Sequence, residues 1–595
     1  MGKGNILHKR WYLYLTEFFS GMAVMAVELG ASRLLAPYFS SSQIVWTIII
    51  GTIMIAMALG NLYGGRTADR DNDPAKLYRR ILIAAVWIAA IPLVGKYIIL
   101  AITGLLVVTV NIGFLIWASF LACMILFVFP LFLLGTVTPS LVKYSTESLD
   151  ESGRIVGTLG AWNTIGSILG TFLPTFVTIP AVGTAVTFLL FSGILLVISI
   201  LYFLSSGGKK TGVIVSAVIF IFCSIFGNSD RFAFWERGLT YEGESVYNYL
   251  QVRDSASATI LSTNVLFGVQ SVHMKGGDLT GMYYDYALAA PVLAGFKEKE
   301  NPSALVLGMG TGTWAMQVRD FFPGAQLLGV EIDEDITALA RKYFELDGEI
   351  PVVTYDGRAY LQSVDETYDC IMVDAYRDIT IPFSMSSVEF FTLVRDHLKP
   401  DGVMVVNMNM HSDEAGGINE QLSDTIAQVF DSVMTVDVPA STNRELFAGK
   451  DLTPEALRAA AEELKAAGIA EASGDAEEMQ AEVGTAEASG DAEVQVAEAG
   501  NLRRGSKQAS LEKTFSGTNA TPQEVLEKQS RLADKMLAVA DRSVLYEGGD
   551  YLLTDDQAPV ELLGMRVIDS LIRDELGYYK KAFQENGIRG LLGVM

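Results

Sequence analysis

Hydrophobic and polar positions divide the chain into two parts with different patterns. Before residue 230, seven long apolar stretches follow one another, at 12–36, 44–64, 81–108, 113–138, 155–178, 182–204 and 211–228. A helix needs about 20 predominantly apolar residues to cross a bilayer. We therefore predict that residues 1–230 form a polytopic α-helical membrane domain with about seven spans.

Basic residues flank these apolar stretches on alternate loops, within 3–10, 66–80, 143–154 and 209–210. The positive-inside rule predicts that these loops face the cytoplasm. An odd number of full spans that starts inside would leave the following residues outside, so the number of complete spans stays open. The stretch 211–228 is short and contains serines, and 81–108 contains a proline and a lysine, so either one could cross incompletely.

Two acidic residues, Glu17 and Glu28, lie inside the first apolar stretch. Their spacing of almost three helical turns puts both carboxylates on one helix face, about 16 Å apart. Ionisable groups in a span are costly and usually face a protein interior or a water path. Two interpretations are open: a site for a cation or an amine, and a structural pairing with Arg33 or a neighbouring helix.

Residues 240–450 have a different pattern, in which short β-branched runs alternate with amphipathic stretches of helical periodicity. This alternation favours a parallel sheet with crossover helices. We therefore predict an α/β domain after the membrane domain.

The first clear unit of this domain is an apolar strand at 304–312 that runs into a turn with Gly308, Gly310 and Gly312. Glycines permit a tight turn and let the backbone approach a ligand closely. Glu331 ends the next predicted strand about 20 residues later, where an acidic side chain can bind two ribose hydroxyls.

The next two predicted strands also end in acidic residues. Asp356 and Gly357 follow the third strand, where a carboxylate can accept from an adenine amino group, and Asp374 ends the fourth, a buried-strand pattern at 368–374. Ligands in such sheets bind beyond the carboxyl ends of the strands. We predict a site for an adenosyl-type nucleoside, with a Rossmann-like relic that binds nothing as the alternative.

These motifs resemble the spermidine synthases, or polyamine aminopropyltransferases, in the form fused to an N-terminal membrane domain. The resemblance covers about 245–450 and resumes at 551–561, while 29–37 and 58–69 resemble the family's membrane half. It implies a small β-rich subdomain at 240–280, a Rossmann-like catalytic domain at 281–450, and a helical part at 521–595 that completes the catalytic domain. It also implies a homodimer.

The resemblance also implies an activity and a set of site residues. Family members move an aminopropyl group from decarboxylated S-adenosylmethionine to an amine such as putrescine and release 5′-methylthioadenosine. Asp374 would be the catalytic base and Tyr283 would orient the amine, while Gln270 would contact the nucleoside. The amine would be bound by Asp285, Tyr376 and Asp378.

Two departures from the family pattern keep other functions open. The glycine turn has Thr311 where many spermidine synthases have an aspartate that binds the donor's free amine, and Arg377 is introduced between the carboxylates of Asp374 and Asp378. The turn is also common in methyltransferases that use intact S-adenosylmethionine. The alternatives are therefore methyl transfer and a non-catalytic module that senses nucleosides or polyamines or is coupled to transport.

An acidic insertion interrupts the end of the catalytic domain. Residues 451–500 contain 13 acidic residues, 2 basic residues and 15 alanines, and the heptapeptide at 471–477 recurs at 487–493. High charge and few aromatic residues predict disorder for most of the insertion at 451–520, with a short helix near 453–467.

Composition excludes several classes of function. A formal net charge of -24 argues against electrostatic binding of nucleic acid. The three cysteines are too far apart for a disulfide framework or a cysteine zinc site, and the four histidines lack metal-ligand spacing, so we expect no metal. We expect a multi-pass protein of the plasma membrane whose catalytic domain is cytoplasmic, because nucleoside sulfonium donors are made there.

Overall fold

The computed structural model divides into two compact units. Unit 1 contains Met1–Arg253, Ser262–Val269 and Ile568–Met595, and unit 2 contains Asp254–Leu261 and Gln270–Val567. Within them the structure describes residues 10–39, 41–71, 73–110, 113–146, 151–206, 210–229, 231–236, 238–265, 269–375, 381–409, 412–466 and 522–592. We call unit 1 the helical unit and unit 2 the α/β unit.

The apolar stretches of the N-terminal part form the helices of the helical unit. These helices are α1 Arg10–Phe39, α2 Gln43–Arg70, α3 Pro74–Thr109, α4 Phe114–Cys123, α5 Phe129–Gly135, α6 Val137–Ser145, α7 Ser152–Leu173, α8 Ile179–Ser206 and α9 Thr211–Phe226. In the described part of the chain, five helical segments are long and apolar enough to cross a membrane: Arg10–Phe39, Gln43–Arg70, Pro74–Leu106, Phe114–Ser145 and Ser152–Ser206.

The last of these segments bears on the predicted span count. Ser152–Ser206 is 55 residues long and contains two of the predicted stretches, 155–178 and 182–204. Between them the backbone leaves the helical conformation at Gly183, whose φ is 80°. The shorter apolar helix Thr211–Phe226 covers the seventh predicted stretch. The number of spans stays a prediction.

Close contact between α1 and α7 depends on small residues. A Cβ atom at Gly166 would lie 1.9 Å from the carbonyl oxygen of Phe18, and one at Gly170 would lie 2.1 Å from that of Met22. No side chain fits at these distances, so the two glycines allow the helix backbones to touch, as in small-residue contacts between membrane helices.

Four short strands lie within the region predicted to be β-rich. In the helical unit, β1 Leu239–Glu244 pairs antiparallel with β2 Tyr249–Asp254. In the α/β unit, β3 Ala258–Ser262 pairs antiparallel with β4 Ser271–Met274.

An eight-stranded mixed sheet organises the α/β unit. Its strands are β5 Ser303–Leu307, β6 Gln326–Glu331, β7 Val352–Thr354, β8 Tyr368–Val373, β9 Leu398–Met408, β10 Ser432–Asp437, β11 Arg444–Gly449 and β12 Val544–Leu545. Their order is β12-β10-β11-β9-β8-β5-β6-β7. The strands from β7 to β9 pair in parallel, and β11, β10 and β12 are added antiparallel. The Rossmann-like sheet and the apolar helical part confirm the predicted fold class.

Helices connect and cover the strands of the α/β unit. They are α10 Tyr283–Ala287, α11 Ala289–Leu293, α12 Thr313–Phe321, α13 Glu334–Tyr343, α14 Gly357–Ser363, α15 Val388–Asp396, α16 Ile418–Ala427, α17 at 454–466 and α18 Pro522–Arg542. The strand order reverses at β5, which has β6 on one side and β8 on the other. In open α/β sheets, the crevice beyond such a reversal binds the ligand.

The C-terminal part divides between the two units. Helix α17 agrees with the short helix predicted near 453–467, whereas the acidic repeats lie outside the described residues. Helix α18 packs against α10 and α12. The last helix, α19 Val560–Leu592, belongs to the helical unit from Ile568 onward. Residues 522–567 thus lie in the α/β unit and 568–592 in the helical unit, and the role of 521–595 in completing the catalytic domain stays a prediction.

Candidate active site

The glycine turn after β5 brings two strand ends into contact. Gly308, Gly310 and Gly312 have φ values of 86°, 54° and 81°, in the left-handed region that favours glycine. A Cβ at Gly308 would lie 2.6 Å from both the carbonyl oxygen of Asp374 and the Cα of Ala375. Only glycine therefore lets the end of β5 pass this close to the end of β8.

Glu331 holds the turn from the neighbouring strand. Its Oε2 accepts from the backbone N–H of Gly310 at 2.8 Å, and its Oε1 accepts from the N–H of Asp333 at 3.0 Å. Burial raises the pKa of this carboxyl to about 7. A carboxylate can accept about four hydrogen bonds, so the two backbone contacts leave capacity for ribose hydroxyls.

Asp374 stands at the end of β8 and is fixed by two hydrogen bonds. Its Oδ2 accepts from the hydroxyl of Tyr283 at 2.6 Å, and its Oδ1 accepts from Nδ2 of Asn407 at 2.8 Å. Burial raises the pKa of Asp374 to about 7, and the charge of Glu331 adds to the rise, while the two hydrogen bonds oppose it. A carboxyl that titrates near neutral pH is well suited to accept a proton at physiological pH.

Tyr283 reaches Asp374 from the short helix α10. The tyrosine is 7% exposed, and its ring lies 4.0 Å from the ring of Tyr284, centroid to centroid. Burial and the charge of Asp374 raise the pKa of Tyr283 well above its ordinary value. The hydroxyl therefore stays neutral and acts as a hydrogen-bond donor to the carboxylate. The structure thus brings together the two residues predicted to be catalytic.

Asp356 and Gln270 both have side chains that reach the surface of the α/β unit. Asp356 is exposed and accepts from the N–H of Ala359 at 2.9 Å, which caps the start of α14. Gly357 follows, and a Cβ there would lie 3.6 Å from Leu307. Gln270 is partly buried and immediately precedes β4. Nucleoside contacts by these three residues stay a prediction.

Of the three residues predicted to bind the amine, the structure describes only Asp285. Both carboxyl oxygens of buried Asp285 already accept hydrogen bonds, from Thr280, Gly281 and Gln317, at 2.7–2.9 Å. This arrangement holds the turn before α10 in place, and a role in amine binding stays a prediction. Tyr376 and Asp378 lie outside the described residues, as does Arg377.

Two polar residues on strands near Asp374 were not predicted from the sequence. Asn407 on β9 binds Asp374 and accepts from Nδ2 of Asn443 at 2.8 Å. Glu445 on β11 is directly opposite Asn407 in the antiparallel register and is fully buried. The available signal was a polar residue inside an apolar strand pattern, at 403–408 for Asn407 and at 444–449 for Glu445.

The membrane-site candidates of the helical unit differ in their surroundings. Glu17 is fully buried, and its Oε1 accepts from Thr138 Oγ1 at 2.5 Å and from Asn163 Nδ2 at 2.8 Å. Its Oε2 has no hydrogen-bond partner among the described residues. Glu28 is only partly buried, and Arg33 donates to the backbone carbonyls of Ser245 and Val246. A cation or amine site at the two glutamates stays a prediction.

Within the described ranges, no group of three or more histidine, cysteine, aspartate or glutamate side chains is arranged to hold a metal ion. Cys123, Cys223 and Cys370 are free and buried.

Comparison with known proteins connects this site to a family. Residues 288–447 match the spermine/spermidine synthase domain. A probable polyamine aminopropyl transferase of Bifidobacterium longum (strain NCC 2705) is 48% identical over 396 residues, which cover 66% of this chain and 77% of the relative. A polyamine aminopropyltransferase of Hydrogenobaculum sp. (strain Y04AAS1) is 28% identical over 174 residues, or 28% of this chain and 59% of the relative.

Solved structures include similar chains. A probable spermidine synthase from Corynebacterium glutamicum ATCC 13032 has 20% sequence identity and a TM-score of 0.33, and the match covers 38% of this chain and 86% of that chain. With a relative 48% identical over 77% of its length, the chain belongs to the polyamine aminopropyltransferase family of enzymes.

Proposed function

We propose that the protein transfers an aminopropyl group from decarboxylated S-adenosylmethionine to an amine such as putrescine and releases 5′-methylthioadenosine. The observation that carries this proposal is the position of Asp374 at the reversal of strand order, held between Tyr283 and Asn407. The name of the relative from Bifidobacterium longum supports the same reaction.

The reaction needs a base that works at neutral pH. The amine nitrogen attacks the carbon next to the sulfonium, a C–N bond forms, and the C–S bond breaks with its electron pair going to sulfur. An amine is mostly protonated at neutral pH, so a group must take its proton before the nitrogen can attack. Asp374 has a pKa raised to about 7 and takes this proton, while Tyr283 fixes the orientation of its carboxylate.

The donor occupies the crevice next to this base. Glu331 binds the ribose hydroxyls, the glycine turn lets the backbone approach the nucleoside, and Asp356 accepts from the adenine amino group. Gln270 adds a contact from the chain before β4. These residues come from four segments of the α/β unit: the chain before β4, the turn after β5, the end of β6 and the chain after β7.

A second candidate function is methyl transfer from intact S-adenosylmethionine, and Thr311 favours it. Thr311 is fully buried, and its hydroxyl lies 3.3 Å from that of Thr313. It therefore offers no carboxylate to the free amine of a decarboxylated donor, which many spermidine synthases bind with an aspartate at this position.

Calorimetric titration of the full-length protein distinguishes these functions. Decarboxylated S-adenosylmethionine, intact S-adenosylmethionine and 5′-methylthioadenosine are titrated in parallel. Tight binding of the first and third with weak binding of the second supports aminopropyl transfer. Preference for the intact donor moves the assignment to methyl transfer, and failure of all three to bind favours a non-catalytic module.

We further propose that the helical unit is embedded in the plasma membrane with the α/β unit on the cytoplasmic side, and that the protein is a homodimer. Within the part of the chain that the structure describes, five helices of sufficient length and apolarity support insertion. Protease accessibility in oriented vesicles tests the sidedness, because the acidic insertion should be cut only from the cytoplasmic face.

Light scattering of the purified protein tests the homodimer. A measured mass of twice the monomer mass would support the dimer, and a measured mass equal to that of the monomer would reject it.

A further inference from the structure

Glu445 is a buried carboxyl group that makes no hydrogen bond within the described part of the chain. Its side chain is 0% exposed, and the strand residues that follow it, Leu446, Phe447 and Ala448, are also fully buried. Neither of its carboxyl oxygens meets a hydrogen-bond donor among the described residues. An unpaired buried carboxylate is strongly unfavourable, so a buried carboxyl that persists in a strand needs an explanation.

The register of the sheet places Glu445 in line with the predicted catalytic base. Val373 pairs with Val406 in the parallel ladder, so Asp374 is level with Asn407, and Asn407 is opposite Glu445 in the antiparallel ladder. Residues at the same level on neighbouring strands project from the same face of a sheet. The three side chains therefore form a row, and two strand spacings put the outer Cα atoms about 10 Å apart.

Asn407, in the middle of this row, already makes hydrogen bonds, and the carboxyl groups at the two ends differ in their contacts. Asn407 donates to Asp374 and accepts from Asn443, so it does not complete the contacts of Glu445. Asp374 is fixed by Tyr283 and Asn407, whereas neither oxygen of Glu445 has a hydrogen-bond partner in the ranges that the structure describes. Burial raises the pKa of Glu445 well above its ordinary value, and the charge of Asp374 adds to the rise.

Helix α10 encloses this face of the sheet. It packs against both β9 and β11, and it carries Tyr283 to Asp374. The row therefore lies in an enclosed space where charged groups interact strongly.

We propose that Glu445 is the second carboxylate of the acceptor subsite and binds the distal ammonium of a diamine whose other nitrogen is held at Asp374. This inference rests on the proposed function. A hydrogen bond between ammonium and carboxylate spans about 2.8 Å, so a short diamine with one such bond at each end bridges the row. The bound cation supplies a countercharge that no residue in the described ranges gives to Glu445. Glu445 thereby makes the site selective for diamines over monoamines of the same length.

Asp285, which is predicted to bind the amine, differs from Glu445 in its hydrogen bonds. Both oxygens of Asp285 are used by the turn at 280–281 and by Gln317. Among the described residues, Glu445 is the buried carboxyl with both oxygens lacking a partner.

The test compares a diamine with a monoamine. Full-length wild type and Glu445→Gln are assayed for aminopropyl transfer to 1,4-diaminobutane and to n-butylamine, with Glu366→Gln, an exposed glutamate of the same unit, as the matched control. We expect Glu445→Gln to raise the KM for the diamine about 10- to 100-fold and that for the monoamine less than about threefold. The affinity for 5′-methylthioadenosine should be unchanged in all three proteins.

An equal effect on both amines would overturn the inference, because it would show that Glu445 acts only through the structure or through Asp374. An unchanged KM for the diamine would overturn it as well. Glu445→Leu separates folding from selectivity, since removal of an unpaired buried carboxyl should preserve 5′-methylthioadenosine binding while the preference for the diamine is lost.

Failure of the proposed function has a different signature. In that case wild type transfers no aminopropyl group to either amine. Calorimetric titration with the two amines in the presence of 5′-methylthioadenosine then tests the inference alone. Tighter binding of the diamine that Glu445→Gln abolishes would support it, and equal binding of both amines would overturn it.

Discussion

Replacement of Asp374 by asparagine should stabilise the folded protein at high pH while it abolishes turnover. The carboxyl has an ordinary pKa of 3.8, which burial raises to about 7 in the folded protein. A group with a raised folded-state pKa contributes stability that is fully present below the unfolded pKa and is lost as the pH rises through the folded pKa. Above pH 7 the ionised Asp374 therefore makes folding less favourable.

The magnitude follows from the shift. A rise of about three pKa units, at about 1.4 kcal/mol per unit, corresponds to about 4 kcal/mol at most. Asp374 is only partly buried by surface area, so solvent screening reduces this value to about 2 kcal/mol. The asparagine keeps both hydrogen bonds, because its carbonyl oxygen accepts from Asn407 and its amide donates to the hydroxyl of Tyr283.

Thermal unfolding of the full-length protein between pH 5 and pH 9 measures this effect. The melting temperature of Asp374→Asn should equal or fall slightly below that of wild type at pH 5 and exceed it at pH 9. Asp365→Asn, at an exposed aspartate, is the control and should show no such trend. Turnover by Asp374→Asn should be lost, whereas its affinity for 5′-methylthioadenosine should remain within about twofold of wild type.

Two results would refute this reasoning. If Asp374→Asn lowers the melting temperature equally at pH 5 and pH 9, burial does not raise the pKa of this carboxyl. If the variant retains turnover, Asp374 is not the base, whatever its effect on stability.

Three further substitutions test neighbouring parts of the structure. Tyr283→Phe removes a hydrogen bond that lowers the pKa of Asp374. The acid limb of the pH–rate profile should therefore move to higher pH, and kcat should fall about 10- to 100-fold. An acid limb at the same pH as in wild type would contradict this prediction. Gly308→Ala places a Cβ 2.6 Å from backbone atoms at a φ of 86°. The affinity for 5′-methylthioadenosine, measured by calorimetry, should therefore weaken at least tenfold. An unchanged affinity would show that the turn can relax. Asp569 accepts from the first N–H groups at the start of α4 at 2.8–3.1 Å. Asp569→Ala should therefore destabilise the helical unit by about 1 kcal/mol, as measured by thermal unfolding. No change in stability would show that solvent replaces the cap.

The frame of the nucleoside site could be predicted because its signals are local. The parallel strands are mostly apolar runs, and the predicted site residues stand at their carboxyl ends: Glu331 is the last residue of β6, and Asp374 directly follows β8. The carboxyl ends of parallel strands meet at one edge, so the order along the chain already indicates which residues converge. The contact between Gly308 and Asp374 is a consequence of that convergence.

The helical unit could be predicted only in part, because hydropathy identifies apolar helices but does not show where they bend. The stretches at 155–178 and 182–204 are separate in the hydropathy pattern and lie in one 55-residue segment with a break at Gly183. Similarly, the sequence of α19 from Ile568 onward has no pattern that assigns this part of the helix to the helical unit. That assignment depends on contacts such as Asp569 with the start of α4, across 456 positions of sequence.

Asn407 and Glu445 could not be predicted from local patterns because their role depends on strand order. The chain places β10 between β9 and β11, yet in the sheet β11 lies directly beside β9. This order sets Glu445 opposite Asn407, and a shift of one residue in the register would turn the carboxyl to the other face of the sheet. A charged residue in an apolar strand is unfavourable for folding wherever it lies. Its position one strand beyond the partner of Asp374 therefore indicates that substrate binding, not stability, accounts for it.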